Sequence, residues 1–461
     1  MASVSPDADA GSRLKPTIFD NTAYKSYVLG VLVLAYIFNT IDRGVVGIVA
    51  PLMRQELGLS DTQLGLLGGP AFAFFYAFMG IPIARLADRW SRVNVLSIAV
   101  GLWSAATAAC GVALGFISLL FARVGVAVGE AGGSPTSHSI ISDLFSIRQR
   151  ATALSIYAMA VPFGAAISNV SLGWFSQFYG WRATFVVIGV PGIAIALLIK
   201  MTVKEPPRGY SDGQAASAKP QAPPMTEVFR FLVQRKSFMH MAIAAALHSV
   251  VWYTGRQWDF EFFRRSHELG QGETGNFLAA FALIGTLGTL AGGYLADKLS
   301  RDRDDQRWLM WVPGIACAMM VPIQFVAYLH PNLTFVVPAF VFMVVLASMF
   351  FGPSFTVAQS LATVRMRAVS TSLLLFVQTL IGYGLGPLIV GVISDFLAPQ
   401  LAPPIQLDPD DPLVGNSSLR YAIVAIGLCN LWAAAHYFWG ARMIREDLAE
   451  TAKLNARSNS A

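Results

Sequence analysis

The sequence predicts an all-α membrane protein: about twelve transmembrane helices in two six-helix halves, related by a pseudo-two-fold axis along the membrane normal. Three observations predict it. The 461 residues are 55% hydrophobic and only 13% charged, where an ordinary soluble domain runs at about 25% charged. The 33 Lys and Arg with 27 Asp and Glu cannot cover the two or three soluble domains that such a length would form, so a water-soluble globule is excluded. Apolar runs of spanning length recur along the chain, and two polar motifs recur half a chain apart.

A spanning helix takes about 20 mostly apolar residues, each adding about 1.5 Å across about 30 Å of hydrocarbon. Residues 1–25 have no apolar stretch before a small-residue cleavage site and read as a cytoplasmic tail. Six runs follow at 26–50, 63–84, 93–112, 116–142, 152–178 and 183–201, giving a first half over 26–202. The interval 203–237, with KEPPRG, a Ser/Ala/Gly/Pro stretch and the basic pair Arg235-Lys236, is a cytoplasmic linker. Six more runs at 238–263, 276–296, 308–328, 333–360, 370–396 and 419–440 make a second half over 238–440, and 441–461 is a second cytoplasmic tail. The runs are too long for barrel strands and lack their alternation. With the N-terminus inside, 25 of the 33 cations fall on inner segments and 5 on outer ones, which places both termini in the cytoplasm and suggests a multi-pass protein of the plasma (inner) membrane. The cations are spread over many short loops and form no stripe for a nucleic acid. Three cysteines in apolar runs imply no disulfide framework.

The repeat is legible in letters. L-A-D-[RK]-x-S-R stands at 86–92 after the second run and at 295–301 after the eighth, an offset of 209; Arg148-Gln-Arg150 and Arg365-Met-Arg367 follow the fourth and tenth at an offset of 217. An even number of passes separates the copies, so the halves share orientation. An Asp at one helix end can accept N–H groups of the next helix and pair with an Arg four residues on, so Asp88 with Arg92, and Asp297 with Arg301, are expected to latch the inner loops.

These residues, Asp88, Arg89 and Arg92 in the first copy and Gly293, Asp297, Lys298 and Arg301 in the second, resemble the inner-loop motif G-x-x-x-D-[RK]-x-G-[RK] of the major facilitator superfamily. Ala84 replaces the first glycine in one copy, and Ser91 and Ser300 replace the later one in both. Asn39-Thr-Ile-Asp42-Arg43, Arg123 with Gly129-Glu130-Ala131, Asp143-Leu-Phe, Gly180-Trp181-Arg182 and Glu205-Pro-Pro-Arg208-Gly209 narrow the resemblance to the spinster-like group, similar to lysolipid and sphingosine-1-phosphate transporters. The resemblance implies the major facilitator fold, a cytoplasmic gate at the repeated motif and an amphiphilic substrate with a phosphate-bearing head.

Ionisable residues inside a membrane are costly and mark function by default. Asp42 lies about 12 Å below the outer end of the first helix and Arg123 about 10 Å below that of the fourth, so they share a level and could pair. Glu130 lies seven residues beyond Arg123 on nearly the same face, and Arg43, about 100° round from Asp42, could reach down to it. A carboxylate at that depth is a candidate to exchange a proton. The expected network assigns proton coupling to Asp42 and Glu130 and substrate charge to Arg43, Arg123, Asn39 and, across the cavity, Arg256. A rim salt bridge from Arg256 to Asp259 or Glu261 is an equal reading, and a static neutral cluster is the bland alternative for the first four. Tyr36, Phe38, Trp252, Tyr253 and Tyr383 are aromatic candidates for the cavity wall.

The expectation is a proton-coupled secondary transporter of an amphiphilic or anionic small molecule, working by alternating access as a monomer in the lipid bilayer. No cofactor beyond the proton, no metal site and no nucleic acid partner is implied; lone histidines lack a second ligand at helical spacing, and no catalytic constellation suggests an enzyme. Another organic anion, a sugar phosphate or a drug would suit the same residue types. A membrane sensor signalling through 203–237 is a reading of a different class.

Overall fold

The computed structural model describes residues 17–212, 224–405 and 412–460; the outer part of the first tail, the middle of the linker and the last residue lie outside them. Helix α1 (Thr22–Leu57) starts where the Asn21 side chain accepts the N–H of Ala23 and Tyr24, and stops at Gly58, whose φ of 63° suits a residue without Cβ. Helix α2 (Asp61–Ala87) opens with a capping box from Ser60 and Gln63. Helices α3 (Arg92–Cys110) and α4 (Phe116–Leu144) follow, the first capped by Ser91.

The stretch Ala160–Thr202 holds two passes, because Gly180, at φ 77° and ψ 173°, turns the chain between them. Its two sides are α5, which begins with Ile147–Ala158, and α6. A side chain at that φ would be strained, so the GWR motif begins with glycine.

The second half contains α7 (Lys236–His267), α8 (Gln271–Asp302), α9 (Trp308–Leu329), α10 (Leu333–Ser360), α11 (Val369–Ala402) and α12 (Asn416–Asn455). Among the described residues ten stretches are long and apolar enough to cross a membrane by themselves; one of them, Arg148–Thr202, takes in both α5 and α6. Helix α7 has the length but a more polar face, since it carries Arg256, Asp259 and Glu261. The polar interval is less of a free linker than its composition suggests. Met225–Val233 forms a helix whose Val228 and Leu232 join the second half's core, and residues around Glu205 dock on the first half.

Apolar packing falls into three clusters. One holds first-half residues such as Leu32, Val100 and Ile140, one holds second-half residues such as Met241, Phe350 and Tyr437, and a third mixes both halves, with Val49 and Leu64 joined to Trp258, Phe340 and Val390. The first two lie toward the face that carries the termini and the linker; the shared one lies toward the opposite face.

Glycines let backbones from the two halves touch there. A Cβ on Gly65 would sit 2.4 Å from the Pro387 carbonyl oxygen, and one on Gly275 would sit 2.1 Å from that of Asn169. A buried ionic knot ties the same seam. Asp61, at the start of α2, binds Arg54 at 2.7 Å, Arg265 of α7 at 2.8 Å and Ser394 of α11 at 2.7 Å, while Asp395 accepts the N–H groups of Asp61 and Thr62.

Gly65→Ala should part this seam. Spin labels at Thr62 and Gln400 should move apart on average relative to the same labels in the parent chain, and unchanged distances would show that the seam tolerates a Cβ.

Candidate functional site

Helix α1 places Asp42 and Arg43 side by side about 100° apart, and each finds its own partner on α4. Asp42, 1% exposed, accepts a hydrogen bond from the Thr107 hydroxyl and pairs with Arg123 Nη1 at 3.2 Å. Arg43 Nε reaches Glu130 Oε2 at 2.7 Å. The Glu130 side chain is fully buried, whereas that of Arg43 keeps 23% of its surface exposed.

Phe72 of α2 lies between the two arginines, with the guanidinium of Arg43 5.2 Å and that of Arg123 5.5 Å from its ring centre, and Tyr76 lies 4.5 Å from Arg43. Cation–π contact supplements each ion pair and keeps the two cations apart. The network is not saturated. Glu130 Oε1, Arg123 Nε and Nη2 and Asn39 Oδ1 are buried without a partner among the described residues, and such groups are expensive unless a proton, a water or a ligand meets them.

A cavity of about 710 Å³ lies between the halves, lined by Thr40 and Gly44 of α1, one residue from Asn39 and Arg43, and by residues of α5, α7, α8, α9 and α10. Its walls are largely apolar, with Val251, Phe281, Met320, Met343 and Phe351 among them. The aromatic candidates divide. Trp252 lines the cavity. Tyr253 and Tyr383 stack on each other at 4.7 Å and join Trp252 on one side (4.9 Å) and Phe72 on the other (5.2 Å), forming an aromatic column from the charge network to the cavity. Tyr36 stacks on Tyr157 at 4.5 Å. Tyr36, Phe38, Tyr253 and Tyr383, expected at the wall with Trp252, are not among the cavity's lining residues and pack on the first-half core; Phe38 points away from the face of α1 that carries Thr40 and Gly44.

Arg256 lines the cavity with its guanidinium 5.7 Å from the Trp252 ring. The rim salt bridge is not formed. Asp259 accepts from the Tyr328 hydroxyl at 2.7 Å, and Glu261 pairs with Arg265 at 2.8 Å in the ionic knot of the opposite face. Arg256 turns back one helical turn to Trp252 and so leaves both acids to other partners.

At the terminal face Arg92 of the first copy makes other contacts in place of the expected i,i+4 latch, and the latch of the second copy is not formed. Helix α2 proper breaks at Trp90-Ser91, so Arg92 opens a new helix and does not share a face with Asp88, whose side chain lies outside the described ones. Arg92 is buried instead among Asp143, Glu205 (2.7 Å) and the Pro206 carbonyl (2.6 Å). Asp143 also accepts the Gly209 N–H at 3.0 Å, and Arg208 donates to the Ala87 carbonyl. In the second copy, Asp297 and Arg301 share a helix but remain exposed and unpaired among the described residues, since an ion pair in water gains little. Arg89 and Lys298 are exposed too. Gly293 lets α8 meet α10, lying 3.3 Å from where a Cβ on Gly352 would stand.

Partial burial works against ionisation of Glu205, but hydrogen bonds from the Val93 N–H, Arg92 and Ser91 outweigh it and hold its carboxyl below the usual glutamate range. Sequence reasoning missed Phe72, Tyr76, Thr107 and the Asp61–Arg265 knot. The first two sit i,i+4 in an apolar run with no letter to distinguish them, and Asp61 reads as an ordinary N-terminal helix acid.

Two helical bundles with paired charges in the membrane core and a cavity between them define a membrane transporter and not an enzyme. The chain belongs to the Major Facilitator Superfamily, whose sequence profile matches residues 32–387, and within it to the spinster-like group. It is similar to the crystal structure of a bacterial homolog of the human lysosomal transporter Spinster in an inward-facing and unoccupied conformation, at 33% identity and a TM-score of 0.85 over 93% of this chain and 99% of that one. It is 28% identical to an MFS-type efflux pump of Mycolicibacterium smegmatis over 92% of this chain and 94% of that one. It is 27% identical to the hexuronate transporter of Bacillus subtilis over 59% of this chain and 64% of that one.

Removing Arg123 alone should leave a buried carboxylate. Arg123→Gln is expected to destabilise the protein by about 3–5 kcal/mol, with Asp42→Asn added recovering most of it, read as unfolding midpoints in detergent. The Glu205 clamp should respond to acid. Because its folded pKa is depressed, its contribution is complete above the unfolded value of about 4.3 and fades as pH falls through the folded one; Glu205→Gln should flatten that part of the stability–pH curve.

Proposed function

We propose that the chain is a proton-coupled secondary active transporter that moves an amphiphilic, phosphate-bearing, lipid-like substrate by alternating access. The observation that carries the reading is the Arg43–Glu130 pair: a fully buried acid bound by an arginine that keeps part of its surface open, next to cavity-lining residues of α1. A proton on Glu130 cancels the charge that holds Arg43 and frees the guanidinium for an anionic head. Loss of that proton draws Arg43 back and weakens the hold on the anion. Proton and substrate therefore bias one equilibrium, which is coupling in the thermodynamic sense. In the pair of Asp42 and Arg123 both side chains are only 1% exposed, and the proton of Asp42 would be the second coupling position.

The cavity suits an amphiphile. Its apolar walls accept a chain, Arg256 on the wall offers a cation to the head, and Arg43, one residue from the lining Gly44, is the second cation that the head would draw away from Glu130. A relative named as a hexuronate transporter favours a second reading, a small organic acid, for which the same arginines would serve. Such a substrate has hydroxyls to satisfy, which the largely apolar walls meet poorly. The proposal places both termini in the cytoplasm and the chain in the plasma membrane, from the cationic bias of the loops.

In proteoliposomes, Glu130→Gln should abolish uptake driven by a pH gradient while leaving counterflow intact. Arg43→Ala should weaken binding of a lysophospholipid by about tenfold to a hundredfold, the range for loss of a charged hydrogen bond. Gradient-driven uptake at the parent rate in Glu130→Gln would remove the coupling assignment. Accumulation of hexuronates but not of lysolipids by the parent chain would replace the substrate.

A further inference from the structure

The arginine that closes the repeated motif is treated differently in the two halves. Arg92 is saturated: it binds Asp143, Glu205, the Ser139 hydroxyl at 3.0 Å and the Pro206 carbonyl. Its repeat mate is Arg301. The offset of 217 that carries Arg150 onto Arg367 also carries Ser139 onto Thr356 and Asp143 onto Ser360. The second half thus keeps the hydroxyl at the first position and replaces the carboxylate at the second with another hydroxyl. The place of Glu205, which follows the sixth pass, is taken by the continuation of α12, which contributes Leu448, Thr451 and Asn455 and no acid.

Space opens where the acids would stand. A cavity of about 620 Å³ is lined by Asp297, Ser300, Arg301, Thr356, Ser360 and Arg367, with the α12 continuation closing one side. Arg301 and Arg367 are exposed and have no ion pair among the described residues. Asp297 also lines the cavity without an ion pair, so the site carries a net charge of +1, enough to hold a monoanion.

We propose that this cavity binds a phosphate group, held by Arg301 and Arg367 and by the Ser360 hydroxyl, with Thr356, whose own hydroxyl donates to the Gly352 carbonyl at 3.0 Å, at its edge, in the position that a built-in carboxylate fills in the first half. Two guanidinium groups with a hydroxyl match an anion that accepts hydrogen bonds on many sides. The site lies at the terminal face, where both anionic phospholipid headgroups and soluble phosphates are at hand. A bound phosphate ties α8, α10 and the residues just before α11 to the end of α12, as the Arg92 cluster ties α3 and α4 to the segment after α6. The site is separate from the transport cavity, and its test does not depend on the substrate.

Thermal unfolding of the purified full chain decides it. In neutral detergent at constant ionic strength, rising inorganic phosphate should raise the unfolding midpoint in a saturable way. In nanodiscs, phosphatidylglycerol should raise it over phosphatidylcholine if the headgroup is the source. Arg301→Gln and Arg367→Gln, both at exposed positions, should each weaken the response about tenfold. Ser360→Asp puts the missing carboxylate back, and it should raise the midpoint without phosphate and abolish the response. No response to either source in the parent chain, or a response that survives in the Arg301→Gln/Arg367→Gln double variant, would overturn the proposal.

Discussion

A charge held in hydrocarbon must be met by an opposite charge, a π face or water, and the architecture is organised around that constraint. Four ionisable side chains of α1 and α4 satisfy it in two pairs, with Phe72 between them. The pairs are unequal. Asp42 and Arg123 are sealed on all sides, whereas Arg43 looks partly outward and holds an acid that has an unpartnered oxygen. The network is short of partners and lies beside a cavity, whereas a saturated network would only brace two helices.

The duplication supplies a scaffold, and the two copies put it to different uses. The first half concentrates its mid-membrane acids on α1 and α4 and saturates its terminal-face arginine. The second half carries no acid on α10, sets Arg256 against Trp252, and leaves Arg301 open. Helix α11 departs from α-helical winding over Gln378–Tyr383, where it abuts α7 so closely that a Cβ on Gly382 would lie 2.5 Å from Ser249. That irregular turn brings Tyr383 onto Tyr253 and Phe72 and so links the halves through aromatic faces in place of charges.

Much of this was legible in the letters because membranes simplify the code. Length and polarity mark each pass, and a repeated motif marks each half. Depth counted at 1.5 Å per residue puts Asp42 level with Arg123 and Glu130 within reach of Arg43. What stayed hidden depends on how helices rotate against one another. The sequence offers Asp88 and Arg92 as an i,i+4 pair, but the helix breaks between them and Arg92 looks sideways to Asp143 and forward to Glu205. Phe38 and Trp252 are both aromatic residues in apolar runs, and only packing decides that one is core and the other wall. The docking of 205–209 was equally invisible, since a Pro-rich polar segment gives no sign that its glutamate is clamped.

The glycine-lined seam at the opposite face limits an entropic cost. Where backbones meet without interleaved side chains, parting them unlocks no rotamers and rejoining them requires none to be refound, so little conformational entropy is exchanged in either direction. The Asp61–Arg265 knot, whose ions must be rehydrated as they separate, and the apolar side chains that both halves contribute, Leu64, Trp258 and Val390 among them, still hold that face together. The glycine contacts therefore contribute alignment at little entropic cost, beside the ionic and apolar contacts that hold the same seam.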